Sequence, residues 1–171
     1  MAKAAIEALL YLLDETYDGG DQSLLANVRS LRGDDWFFIP EGGSRSPYDI
    51  LWHVAACKWM YDHYAFEAGT WTWPEMEASS LAAGPPVRAE ASPQIVDWLL
   101  DWTDRGQQQF RAHVATLDDD QLLAPRRANW GREYETRWLV KVMMEHDVYH
   151  AGEINHLRSL HQLDDQWEHE R

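Results

Sequence analysis

The sequence predicts an all-α fold: an antiparallel four-helix bundle formed by a single domain over residues 1–171. Three observations carry that expectation. Apolar residues recur at helical spacing in four long stretches, breaker-rich loops separate those stretches, and no stretch alternates with period two for long enough to make a sheet. Neither an internal repeat nor a low-complexity segment points to a solenoid or a second domain.

The elements follow in order. Ile6, Leu9, Leu10 and Leu13 mark the first helix, which stops at TYDGGD, where Gly19 and Gly20 break the pattern. SLLANVRSL gives a shorter helical piece, and the loop GDDWFFIPEGGSRSP follows, with three glycines and two prolines. Ser46, Pro47 and Asp49 then form a strong helix start. A hydroxyl caps free amides, a proline takes the first helical position and an acid sits in the first turn. That second long helix runs to about Glu67. After the breaker-rich AAGPPV, Ser92 and Pro93 repeat the start signal, and the third long helix carries Ile95, Leu99, Trp102 and Phe110 on to about Thr116. LDDDQLLAPRRANWGRE reads as a loop holding one turn of helix, and Thr136 opens the last long run, to about Leu160.

Charge and cysteine count narrow the function. The formal net charge is −14, from 29 acidic residues against 15 Lys and Arg. Phosphate backbones and anionic membrane surfaces would both be repelled, so neither nucleic acid nor membrane is expected as a partner. Asp118, Asp119 and Asp120, and Asp164 with Asp165, read as solvated loops and a fraying end. Cys57 is the only cysteine, which rules out an internal disulfide and a zinc finger and fits a reducing cytoplasm. The apolar opening MAKAAIEALLYLLDE is interrupted by Glu7 and Asp14, has no small-residue cleavage site and is too short to span a bilayer, so a soluble, unexported protein is expected.

The chemistry concentrates in EHDVYHAGEINH, from Glu145 to His156. His146 and His150 are four residues apart, so at about 100° per residue both project from one helix face, one turn apart, and can reach a single ion at roughly 2.0–2.1 Å. Two imidazoles make half a site. A facing helix supplies the rest in a bundle, and His53 lies in the apolar run DILWHVAACKWM, where an unpaired imidazole is expensive to bury. Three neutral imidazoles with an open position for water suit a catalytic zinc site, and nickel, cobalt or iron as well. Glu153, seven residues after His146 and three after His150, falls on the same stripe as an orienting acid or general base. Asp49 and Cys57 flank His53 by one turn on either side. Asp49 reads as a helix-start acid, and Cys57 as a small buried hydrophobe before a fourth ligand. His63, His113, His156, His161 and His169 lie off the stripe and read as solvated. Trp52 with Trp59, and Trp98 with Trp102, sit at helical repeats and read first as core or interface packing. Exposed members of the set would favour a dimer through an aromatic patch.

These residues resemble a known family, the DinB-like or YfiT-like metalloenzymes, whose motif is one histidine on the second helix and an HxxxH pair on the last. The match is His53 in LWHVA and His146 and His150 in EHDVYHAGEI, with Gly152 before Glu153 and Ile154, and more weakly RSPYDILWHVA and the whole chain. The resemblance implies a bundle of up-down-down-up order, commonly a homodimer. It also implies a divalent ion, with zinc, nickel, iron, cobalt and manganese all open, held by His53, His146 and His150. Related proteins include transferases that use a low-molecular-weight thiol.

Several functions therefore stand open. The first is a metal-dependent enzyme, most readily a thiol S-transferase acting on a small-molecule substrate, with Arg45, Arg132 and Arg137 as candidate anchors for the thiol. A metal-dependent hydrolase is the alternative, since HDVYH approaches the zincin HExxH with Asp147 in place of Glu, but that motif belongs beside a sheet. A di-iron site would need a second ExxH besides Glu153 and His156. The non-enzymatic reading is a stress-response or interaction module with a structural metal or none.

Overall fold

The computed structural model describes residues 3–78, 84–86 and 92–166, so His169 lies outside the described residues. Six α-helices are present among them: α1 (Ala4–Asp18), α2 (Leu24–Arg29), α3 (Pro47–Phe66), α4 (Trp73–Ala78), α5 (Pro93–Thr116) and α6 (Thr136–Gln162). Two 3-10 turns, Gly33–Phe37 and Asp119–Leu123, and a short hairpin of β1 (Pro125–Arg127) and β2 (Glu133–Glu135) fill the connections.

Four long helices make the bundle, and side-chain pairs give their directions. From α3 to α5, Trp59 Nε1 donates to the Trp102 carbonyl, Lys58 meets Gln107 and Asp62 meets His113, so the sequence rises together and the two helices are parallel. From α1 to α5, Tyr17 meets Asp104, Asp14 meets Arg111 and Lys3 meets the Ala115 carbonyl, which is antiparallel. From α3 to α6, His53 lies by His150 and Lys58 by Asp147, also antiparallel. The order is thus up-down-down-up. Parallel neighbours cannot be joined by a tight turn, and the long crossover between α3 and α5 carries α4.

The helix starts are built as the sequence predicts. Ser46 Oγ accepts from Asp49 N while Asp49 Oδ2 accepts from Ser46 N at 2.8 Å, a reciprocal capping box, and Ser92 Oγ accepts from Ile95 N. Helix α3 is buried on nearly every side because α5 and α6 flank it and the crossover covers it. Its aromatic polar tips are met there: Tyr48 Oη and Trp52 Nε1 each donate at 2.8 Å, to the Pro86 and Pro85 carbonyls. Gly106 lets α5 approach closely, since a Cβ there would stand 2.9 Å from Trp59 Nε1.

Three expectations need correction. The 125–135 segment is more than a loop with one turn of helix. Arg126 donates to the Ala65 carbonyl at 2.9 Å and lies 4.3 Å over the Phe66 ring, so the hairpin closes the C-terminal end of α3. Asp118 and Asp119 are structural: Asp118 caps the second 3-10 turn, and Asp119 Oδ1 accepts from Ala5 N and Ile6 N at 3.1 Å, capping α1 from across the chain. His63 is buried, because Glu67 accepts from it at 2.9 Å and Trp71 stacks on it at 3.8 Å.

Candidate metal centre

The site forms on the seam between α3 and α6. Helical spacing puts His146 and His150 on the face of α6 that meets α3, and the antiparallel register brings His53 opposite both. His150 Nε2 lies 3.2 Å from His146 Nε2, and His146 Nε2 lies 3.3 Å from His53 Nε2. One ligand atom from each of the three lies within 4.8 Å of the others.

Protonation fits this convergence. Burial, the neighbouring His150 and His53 rings and then the Lys58 ammonium push His146 down to about 3. His53 and His150 are also lowered, chiefly by burial, with Glu153 pulling His150 partly back. All three are neutral near pH 7, the state a metal requires. His150 Nδ1 meets Glu153 Oε2 at 2.5 Å, so its proton sits there and its Nε2 turns a lone pair to the centre. His146 cannot be satisfied by protons alone. Among the described residues its buried Nδ1 has no partner, so a proton on Nδ1 leaves an unpaired donor, and one on Nε2 leaves an unpaired acceptor.

The donor set fits a borderline divalent ion. The 3.2 and 3.3 Å separations are short enough for His146 to share one ion with His150 and with His53 at the usual metal–nitrogen length of roughly 2.0–2.1 Å. Three protein nitrogens leave at least one position open. Cys57 Sγ is 3.7 Å from His53 Nε2 but stands outside the converging set, and burial lifts its thiol to about 12. Asp49 is spent on the capping box.

Sequence reasoning missed what lies behind His146. Asp147 turns away from the histidines into the core, where its carboxylate accepts from Lys58 Nζ at 2.7 Å, and both side chains are 0% exposed. Lys58 also donates to Gln107 Oε1 at 2.8 Å and stands 5.3 Å over the Tyr17 ring, so all four long helices meet there. The HDVYH acid is therefore a core ion-pair partner. A second cluster, Asp62, Glu67 and His113, also brings ligand-type atoms within 4.8 Å at the far end of α3.

Of the three candidate anchors, Arg45 alone adjoins the site, with Nη2 3.3 Å from Glu153 Oε1. Arg137 pairs with Glu135 at the start of α6, nine residues and about 14 Å before His146, and Arg132 sits in the hairpin turn at that same end. His156 is exposed, Trp98 is 44% exposed, and Trp52, Trp59 and Trp102 are core. No helix among the described residues is long and apolar enough to cross a membrane.

The family model described as the DinB superfamily matches residues 16–154, a span that takes in all three histidines. No curated protein is similar enough to count as a match.

Proposed function

The chain belongs to the DinB superfamily, and from that premise we propose that it is a metal-dependent enzyme, a transferase that uses a low-molecular-weight thiol and acts on a small electrophilic substrate. The observation that carries this reading is the convergence of three neutral imidazoles, with His146 Nε2 3.3 Å from His53 Nε2 and 3.2 Å from His150 Nε2. A divalent ion bound there supplies Lewis acidity, lowering the pKa of a thiol or water taken as a further ligand.

The chain's own residues prepare that position. His53 and His146 orient their rings across the α3–α6 seam, and Glu153 fixes the tautomer of His150 through Nδ1. Of the two roles expected for Glu153, orienting acid and general base, that hydrogen bond supports the first. Both carboxylate oxygens are engaged, one by His150 and one by Arg45. Burial of His146 keeps its ring in the neutral form at neutral pH. We also propose a homodimer, supported by Tyr11 and Tyr149, which are 62% and 65% exposed on α1 and α6.

The test is transfer of a panel of small thiols to a fluorogenic electrophile by the zinc-, nickel-, cobalt-, iron- or manganese-loaded chain. Wild type is expected to accelerate the transfer with at least one metal, and His146→Ala to lose that acceleration. Equal rates for both proteins with every metal would sink the transferase reading.

A further inference from the structure

Beside Glu153, between the loop before α3 and helix α6, lies a cavity of about 200 Å³ walled by Ser44, Arg45, Ile50, Glu153, His156 and Leu157. It shares Glu153 with the candidate metal centre, since the carboxylate that holds His150 also meets Arg45. Resting on the metal-dependent reading above, we propose that this cavity binds the carboxylate-bearing end of a reactant, with Arg45 as the residue that recognises it.

Charge is the first argument. A chain with a net charge of −14 repels small acids unless a cation is placed at the site, and Arg45 is the one Lys or Arg in this wall. Its charge and that of Glu153 sum to zero, so the cavity accepts an anion only while Arg45 is present. Availability is the second argument. Among the described residues the Arg45 guanidinium has one hydrogen-bond partner, at 3.3 Å, with its side chain 44% exposed. Four of its five N–H donors are uncommitted, and the planar fork matches a carboxylate bidentately.

Size is the third argument. Pockets that enclose whole drug-sized ligands run to roughly 300–1,000 Å³, so this one takes one end of a molecule and leaves the other end to reach the histidines. Ile50 and Leu157 give it an apolar floor that lowers the local dielectric around the ion pair. The carboxylate can arrive on the thiol or on the electrophile, and the chemistry of recognition is the same.

The experiment uses the cobalt(II)-loaded chain, whose visible absorption reports ligands entering the metal's sphere without any turnover. Wild type, Arg45→Ala and Arg45→Lys are titrated with 3-mercaptopropionate, with 3-mercaptopropanol, and with succinate after saturation by 3-mercaptopropanol. If the acid arrives on the thiol, wild type binds 3-mercaptopropionate about tenfold or more tightly than the alcohol, Arg45→Ala loses the preference and Arg45→Lys recovers part of it. If it arrives on the electrophile, the two thiols bind alike and succinate perturbs the spectrum in wild type but not in Arg45→Ala. Preference or succinate binding that survives Arg45→Ala, or neither in wild type, overturns the proposal while leaving the metal centre intact. A wild-type chain that takes up no cobalt overturns the metal-dependent reading itself, and this inference with it.

Discussion

Two clusters of ligand-type side chains lie along α3, at His53 and at Asp62 with Glu67, nine or more residues and about 14 Å apart, and they look alike only in their spacing. In the second cluster every carboxylate oxygen has a donor. Asp62 meets His113 Nδ1 and Gln109 Nε2, each at 2.7 Å, and Glu67 meets Gln109 at 3.1 Å and His63 at 2.9 Å. The first cluster brings three nitrogens together, and among the described residues no placement of protons satisfies His146. Buried polar groups are normally paired, so a satisfied network is explained by folding alone, whereas an unsatisfied convergence calls for something more. Proximity does not distinguish the two clusters, but hydrogen-bond accounting does.

The sharpest way to break this comparison is elemental analysis after dialysis against mixed divalent metals. Wild type should retain about one ion per chain and His146→Ala essentially none, while Asp62→Asn and His113→Gln retain the wild-type amount. Metal loss from Asp62→Asn alone would reverse the assignment of the two clusters. The same ion should stabilise the fold. At a free concentration near 1,000 times its Kd it contributes about 4 kcal/mol, or roughly 10 °C in Tm for a domain of this size. Chelation should lower the Tm of wild type by that amount and leave His146→Ala unmoved.

A comparable loss is expected from the polar core behind His146, by a different cause. Asp147→Ala leaves the Lys58 ammonium buried without its counter-ion and should cost about 3–5 kcal/mol in urea unfolding. Removing both charges, as in Lys58→Met with Asp147→Leu, should recover most of that, because two desolvation penalties disappear with the attraction. If the double variant is as unstable as the single, the pair contributes net stability and the reasoning fails.

The two α3 clusters should also respond to pH with opposite sign. The imidazoles of the metal-free site are depressed, so below the ordinary His value of 6.5 the unfolded chain binds protons that the folded chain refuses. Their contribution is complete above 6.5 and is lost as pH falls, for His146 down to about 3. Asp62 is raised above its ordinary 3.8, mainly by burial, so the folded chain binds the extra proton and its contribution is lost as pH rises through that interval. Urea midpoints from pH 7.5 to 4 should therefore fall less steeply for metal-free His146→Ala than for wild type, and more steeply for Asp62→Asn. Equal slopes for all three would show that neither cluster is perturbed.

How much of this was legible in the sequence depends on how far apart the partners lie along it. The i, i+4 pair His146 and His150 is a local fact, as is the Ser46–Asp49 cap, and both are where spacing puts them. His53 was legible because an imidazole inside an apolar run needs a reason. Lys58 and Asp147 are separated by 89 positions, and the HDVYH motif around Asp147 gives no sign of a lysine partner on another helix. Asp119 caps α1 from 113 and 114 residues away, which no local pattern reveals. Strands of three residues carry too short an alternation to be told from loop, so the hairpin escaped. Arg45, Arg132 and Arg137 all sit in loops or helix starts, and only the register of α3 against α6 separates the first from the others.

The smallest expected effect tests whether α3 couples the clusters at all. Ser46 opens the helix that carries both, two turns before His53, and Ser46→Ala removes the hydroxyl that accepts from Asp49 N. Loss of such a cap costs about 1 kcal/mol, read as a shift in urea midpoint. The helix is held along its length by α5 and α6, and fraying is confined to the first turn, so the metal content should stay at the wild-type level. A metal content that falls with Ser46→Ala would mean that the first turn of α3 positions His53. The centre would then depend on the cap, and the loop carrying Arg45 would belong to its support.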